Sequence, residues 1–417
     1  MLGEFQRMNT VKVFKNATII NGINSDVVKE GMVVVDNDRI TYVGEYNAEY
    51  LKLHENEQLE VIDVQHKIIM PGMIDAHVHL TLEGEAQYLE KLIVEDAKFT
   101  ILKGLKKAEK MLRAGFTTVR CVGEKGQIDV HLRNAINAGI VNGPNILASG
   151  KAITTTGGHG DMLPDGIRFD GISTIADGMS NVQLAVREQL KLNVDNIKLM
   201  ATGGGMSPGD AKISQLTVEE MAIAVKEAEK FDIVTAAHAI GREGINNALQ
   251  AGVRTIEHGT YIDQDGIHFM KNHDVFLVPT LAAFKTIKYG EAAGVPKHHL
   301  EKVQSFERAH IDNLKRALDA GVKVITGTDA GTPFNYHGEN AYELEALTNV
   351  GMTPMDTIIA ATSRAAEALK LEDRGVLKEG YIADLIIVDG NPLHDIMLLQ
   401  KKVEKVYKNG QEVTFVE

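Results

Sequence analysis

The chain is short of most features that would set it apart from an ordinary globular protein. Its single cysteine, Cys121, has no partner for an intramolecular disulfide, which fits a reducing compartment and a cytoplasmic location. No apolar run is long enough to span a bilayer. The opening segment MLGEFQRMNT lacks an apolar h-region, so no signal peptide is expected, and the residues before Met8 read as an extension or an alternative start. Like charges do not gather: the net charge of -13 is spread without an acidic or basic block, which argues against a broad nucleic-acid surface. Short repeats and low-complexity tracts are missing too. What remains is a chain of 417 residues, 44% hydrophobic and 24% charged, as in soluble globular proteins, long enough for one large domain and a smaller partner.

Both ends of the chain read as β-structure. VKVFKNATII, GMVVVDNDRITYVG and LEVIDVQHKIIM are strand-like, with Asp36, Asn37 and Asp38 as a hairpin turn. GYIADLIIVDG and VEKVYKNGQEVTFV follow the same pattern near the other end, with Asn409-Gly410 as a second turn. The two ends are expected to meet in a small β-sandwich domain of residues 1-69 and 373-417. Between them, residues 70-372 alternate strands and helices. The eight strand candidates are 73-79, 117-122, 145-149, 196-201, 233-239, 254-258, 275-279 and 323-328. Thr217 with Glu220 three residues on forms a capping box ahead of one helix. Repeated strand-helix units predict a parallel sheet, and eight of them suit an α/β fold of the (β/α)8 barrel type, with an open doubly wound sheet as the alternative.

A barrel carries its active residues at the C-terminal ends of its strands. His77 and His79 end the first candidate strand, Lys198 lies in the fourth, His238 ends the fifth, His258 the sixth and Asp329 the eighth. Side chains two apart on a strand share a face, so His77 and His79 can grip one cation, and a carboxylate such as Asp329 is a further ligand. Taken singly, each has a plainer reading. A lone histidine is usually a satisfied core or surface residue, Lys198 could snorkel, and Asp329 could cap a helix. His54, His66, His131, His268, His273, His298, His299, His310 and His394 stand in helix-like or loop contexts and are read as structural. The six strand-end groups together, in this order, point to a metal site. Asp75 reads as a deeper structural partner, not a ligand.

Those residues carry a resemblance. PGMIDAHVHL, IKLMATGGGMS, AHAIGREGINNALQAGVRTIEHG, GTDAG and GVLKEGYIADLIIVDGNP resemble the successive motifs of the amidohydrolase superfamily of metal-dependent hydrolases, nearly end to end. The similarity is greatest to the prolidase-like (Xaa-Pro dipeptidase and carboxypeptidase) members and more distant to imidazolonepropionase. The resemblance implies two divalent metal ions, of which zinc is the expected kind. It places His77, His79 and Asp329 on one metal and His238 and His258 on the other. Lys198, carboxylated, would be the shared ligand. It further implies a bridging hydroxide as nucleophile and Asp329 as the catalytic proton carrier. His159, in the loop TTTGGHGD, and His337, in PFNYHGEN, are expected to contact substrate. Gly203, Gly204 and Gly205 lack the lysine and serine of a phosphate loop and read as a tight turn.

Two departures bear on substrate choice. Many prolidase-like relatives carry tyrosine two residues after the fifth-strand histidine, where Ile240 stands here, and aspartate where Cys121 stands. Cys121 reads as a small buried residue, and Arg120 as either a charge-recognition group or a structural ion-pair partner. The expected activity is hydrolysis of an amide or peptide bond. A cyclic amide, ester or lactone hydrolase and a non-catalytic metal-binding protein are the alternatives. The expected partner is a small molecule (a peptide, an N-acyl amino acid or a related amide), with neither nucleic acid nor membrane, and a homo-oligomer stays open.

Overall fold

The two ends of the chain meet in one sheet. The computed structural model describes residues 10–53, 58–164, 166–167 and 169–414, so Met8 and His54 lie outside the described residues. Eight strands pair in this sheet. Its path runs from Gln411–Glu412 through Val403–Lys408, Leu385–Val388, Ile68–Pro71, Thr10–Ile20 and Val27–Asp36 to Arg39–Glu45, with Gln58–Asp63 also on Thr10–Ile20. Both expected hairpins form, with Asp36 opposite Arg39 and Lys408 opposite Gln411. Asn37, Asn409 and Gly410 take positive φ (55°, 49° and 72°), as tight hairpin turns require. Alternation sends Phe14, Val33, Val35 and Tyr407 to one face and Val13, Met32 and Val34 to the other. The long first strand bends at Asn16 (φ 56°). Before the bend it pairs with Gln58–Asp63, and after it with Ile68–Pro71.

The middle of the chain is α/β with parallel strands. Met73–Val78, Phe116–Cys121 and Asn145–Leu147 form a three-stranded sheet. A six-stranded parallel sheet holds Ser173–Ile175, Ala152–Thr154, Asn196–Met200, Val234–Ala239, Thr255–His258 and Phe276–Val278 in that order. Seven of the eight candidate strands are therefore present, although Asn145–Leu147 is shorter than its candidate. Two short strands, Ala152–Thr154 and Ser173–Ile175, are additional. Helices follow most strands. Val218–Glu229 starts in the expected capping box, with Thr217 Oγ1 accepting from Glu220 N–H (3.2 Å) and Glu220 accepting from Thr217 N–H (2.8 Å).

The candidate strand 323-328 is corrected: it is extended but forms no ladder. It is tied by single bridges, Val324 to Leu277 and Ala330 to Val78, so it lies between one edge of each parallel sheet. The cause is competition for its backbone donors. Thr326 N–H goes to the Ala360 carbonyl (3.1 Å) and Thr328 N–H to the Asp75 carboxylate (3.0 Å). Only Ile325 N–H to Leu277 (3.0 Å) and Asp329 N–H to His77 (2.8 Å) continue toward neighbouring strands. Asp75, placed in the sequence as a structural residue, thus locks this segment. It also accepts from Thr328 Oγ1 (2.6 Å), Asn340 Nδ2 (2.6 Å) and His77 N–H (3.1 Å).

Candidate active site

Because the strands run parallel, their C-terminal ends share an edge, where ligands of α/β folds bind. His77, Lys198, His238, His258 and Asp329 all line one cavity there with His79, a space of about 1000 Å³ with its mouth included. The imidazoles touch in series. Ring centroids lie 5.5 Å apart for His77 and His79, 5.2 Å for His77 and His258, and 4.6 Å for His238 and His258. One ligand atom each from His77, His79 and Asp329 lies within 4.8 Å of the others.

The free nitrogens are set by what holds the opposite side of each ring. His77 Nδ1 meets Glu257 Oε2 (2.6 Å) and His79 Nδ1 meets the Gly123 carbonyl (3.0 Å). Their Nε2 atoms then face one oxygen of Asp329, at 3.5 and 3.4 Å. His258 Nδ1 is taken by Thr280 Oγ1 (2.7 Å), which leaves Nε2. His238 Nε2 meets the Gly203 carbonyl (2.8 Å), which leaves Nδ1. Imidazoles oriented through their second nitrogen, together with a carboxylate, are the donor set and outer support of zinc-type sites, so these residues fit a metal.

Burial holds the site ready for a cation. It pushes the His77, His238 and His258 imidazoles well below the usual histidine range, helped by nearby Lys198. These rings therefore stay neutral, as ligands must be. Burial also lowers Lys198 to about 8, against the raising pull of Glu257 and Asp329. For His79, burial works downward but Asp329 and Glu124 outweigh it and raise the ring. His258 (φ 68°), Thr280 (φ 54°) and Asp329 (φ 59°) all sit in left-handed backbone, which costs about 1–3 kcal/mol each and recurs where side chains must be aimed at a site.

His159 lines the cavity, stacked on His238 at 4.2 Å between ring centroids and bonded to Ser207 Oγ. The glycine run beside it serves close approach. A Cβ on Gly204 would stand 2.2 Å from the His159 ring. His337 is a correction: it is buried away from this cavity, with Nε2 on the His79 carbonyl (3.1 Å), because its loop folds behind the His77–His79 strand. It braces the site and does not face it. Ile240 lines the cavity, and Cys121 is buried, with burial pushing its thiol well up.

Glu124, Lys107 and Glu257, which matter here, escape the sequence, whereas Arg120 takes the structural ion-pair role of its two readings and is fully buried. It donates to Glu257 (2.8 Å), Thr255 Oγ1 (2.9 Å) and the Ala76 carbonyl (2.6 Å). Glu124 clamps the turn after His79, accepting from Leu80 N–H (2.5 Å) and Thr81 N–H (2.7 Å), while Lys107 Nζ donates to the carbonyls of the same turn. The signal for Glu257 was present, as a carboxylate inside the apolar strand RTIEHG. His310, read above as structural, lines the cavity.

Comparison with known proteins agrees with this geometry. The chain matches the amidohydrolase family over residues 68–413. Ochratoxinase of Aspergillus niger is 32% identical over 369 residues, which cover 82% of this chain and 75% of that protein. A solved Xaa-Pro dipeptidase with methionine bound in its active site has a TM-score of 0.87 at 31% identity, over 97% of this chain and 99% of that one. Imidazolonepropionase of Fusobacterium nucleatum subsp. nucleatum is 23% identical over 430 residues, 94% of this chain and 93% of that protein. The chain belongs to the amidohydrolase family of metal-dependent hydrolases. It is accordingly a hydrolase of carbon–nitrogen bonds. No helix among the described residues is long and apolar enough to cross a membrane.

Proposed function

We propose that the chain hydrolyses an amide or peptide bond of a small molecule with two divalent metal ions, zinc being the kind its donors suit. The observation that carries this reading is the convergence of His77, His79, Lys198, His238, His258 and Asp329 on one buried cavity at the strand ends. His77, His79 and Asp329 would hold one ion and His238 and His258 the other. Lys198, carboxylated, would serve both. We also take the nine parallel strands and segment 323-328 as a closed (β/α)8-type barrel (residues 70-372), with a small β-sandwich formed by both chain ends (1-69 and 373-417). The two bridges of that segment support closure.

Bound metals supply Lewis acidity, acidifying water and polarising a carbonyl. The chain's own residues do the rest. Lys198, lowered to about 8 by burial, keeps a neutral fraction near neutral pH. Its amine forms a C–N bond to carbon dioxide and releases one proton, turning a repelling cation into an anionic ligand. Asp329 takes a proton from the attacking water and returns it to the leaving amine. Glu257 keeps His77 in the Nδ1–H tautomer, so that its lone pair points at the site. Leu82, Tyr88, Met162 and Ile172 wall the cavity and limit water.

Metal analysis after purification without chelator tests the reading, with reconstitution in zinc and bicarbonate and a panel of dipeptides and N-acyl amino acids. Two ions per chain and turnover of an amide are expected. Fewer than about one ion per chain after reconstitution would sink it, since the mechanism needs both sites.

A further inference from the structure

The turn after the Lys198 strand is held from outside itself. It opens on three glycines, Gly203, Gly204 and Gly205, a run with little conformational preference of its own. Remote side chains fix it through its carbonyls. Lys302 Nζ, from helix Lys297–Ala320, donates to the Gly204 (2.7 Å) and Ser207 (2.8 Å) carbonyls. The Tyr88 hydroxyl, from helix Tyr88–Val94, donates to the Met206 carbonyl (3.1 Å). Tyr88, Gly205 and Met206 line the cavity, so the clamped turn is part of its wall.

Ser207 reaches from this turn to His159, whose ring lines the cavity with Nδ1 on Ser207 Oγ. Ser207 is 3% exposed, and its hydroxyl has no other hydrogen-bond partner among the described residues. A buried hydroxyl left with an unpaired proton is costly, so Ser207 donates and Nδ1 accepts. With Nδ1 accepting, the ring proton sits on Nε2. That nitrogen has no partner among the described residues, yet it is not among the atoms sealed in the interior. Its N–H is therefore open to whatever occupies the cavity.

We propose that Ser207 and Lys302 are positioning residues for amide cleavage: Ser207 keeps the His159 proton on Nε2, as a donor to the carbonyl oxygen of the amide, and Lys302 keeps Ser207 in place. Neither lines the cavity, so both act through His159. Negative charge grows on the carbonyl oxygen as the carbonyl is attacked, so a fixed donor there acts mainly in the transition state. Without the Ser207 hydroxyl the proton is free to sit on either nitrogen, and an Nε2 lone pair would repel the oxygen. Without Lys302 the glycine run is left to Tyr88 alone. This rests on the amide-hydrolase reading above and adds two residues that touch neither metal nor substrate.

The test compares Ser207→Ala, Lys302→Met and His159→Gln in the zinc-reconstituted full chain, on the dipeptide or N-acyl amino acid that the wild type turns over best. Ser207→Ala and Lys302→Met should each lose about 10- to 100-fold in kcat, with KM and metal content unchanged. Ser207→Thr, which keeps the hydroxyl, should recover most of that loss. In the His159→Gln background neither substitution should lower kcat by more than about twofold further, because their effect passes through the ring. Nitrogen NMR of isotope-labelled histidines reads the tautomer without any substrate. The resonance pair missing from His159→Gln should show a protonated Nε2 in the wild type and mixed protonation in Ser207→Ala. Wild-type kinetics in Ser207→Ala or Lys302→Met, full losses in the His159→Gln background, or a tautomer indifferent to Ser207 would overturn the proposal. A tautomer that depends on Ser207, with no amide turned over, would uphold the arrangement while refuting amide hydrolysis. Turnover with an indifferent tautomer would do the reverse.

Discussion

Replacing Glu257 with glutamine tests how the protein prepares His77 for a metal. Both carboxylate oxygens are committed: Oε2 to His77 Nδ1 (2.6 Å), Oε1 to Arg120 Nη2 (2.8 Å) and Thr255 Oγ1 (2.5 Å). Arg120 and Thr255 both donate, so glutamine must keep its carbonyl oxygen on their side. Its amide then points at His77 Nδ1, which has to accept, and the ring proton moves to Nε2, the nitrogen that faces Asp329. The lone pair meant for a metal is lost. Outer partners of ligating histidines are worth about 10- to 100-fold in metal affinity, or about 1.4–2.8 kcal/mol. A second cost falls on stability. Arg120 is fully buried and would lose its only anionic partner among the described residues, a change worth about 3–5 kcal/mol. Competition titration with a zinc chelator reads the first effect, and chemical denaturation of metal-free protein reads the second. In the double variant Glu257→Gln with Arg120→Met the stranded charge is gone and the glutamine is free to turn, its carbonyl accepting from His77 Nδ1–H and its amide donating to Thr255 Oγ1, so stability and metal affinity should both recover relative to Glu257→Gln. Wild-type zinc affinity in Glu257→Gln would refute the reasoning.

Other outcomes follow from the same geometry. Lys198→Ala should lose bound metal and turnover, read by metal content and amide assay, and full activity would remove its bridging role. Activation of metal-free protein at fixed dissolved carbon dioxide should rise with pH, because the lowered lysine pKa gives more neutral amine as pH climbs through about 8. From pH 6.5 to 8 the neutral fraction grows roughly 15-fold and then levels off. A rise that stays near tenfold per unit up to about pH 9 and continues past pH 10 would instead indicate an unperturbed lysine. Gly204→Ala would drive a methyl into the His159 ring, 2.2 Å from the added carbon. It should lower kcat/KM about 10- to 100-fold with metal content unchanged, and wild-type kinetics would free His159 of a substrate role.

The strand-end histidines, Lys198 and Asp329 are legible in the chain because a parallel sheet leaves only its strand ends as a site, and period and spacing mark those ends. Thr217 with Glu220, and the turns at Asn37 and Asn409, are legible for a similar reason: each is a local rule satisfied within a few residues. The ladder expected at 323-328 fails because Asp75, more than two hundred residues earlier, captures a donor that local pattern assigns to a strand. His337 was expected at the mouth from its place after the last strand, yet loop packing turned it behind His79.

The chain by itself thus determined which residue types stand at which strand ends, since covalent order and side-chain alternation are local. Tertiary structure decided how they are aimed. Glu257, Gly123, Thr280 and Gly203 choose the nitrogen that each histidine presents. Burial sets Lys198 to about 8. A helix over two hundred residues after the first histidines brings His310 into the cavity wall. These depend on distances between remote segments and on the exclusion of water, which exist only once the strands have assembled.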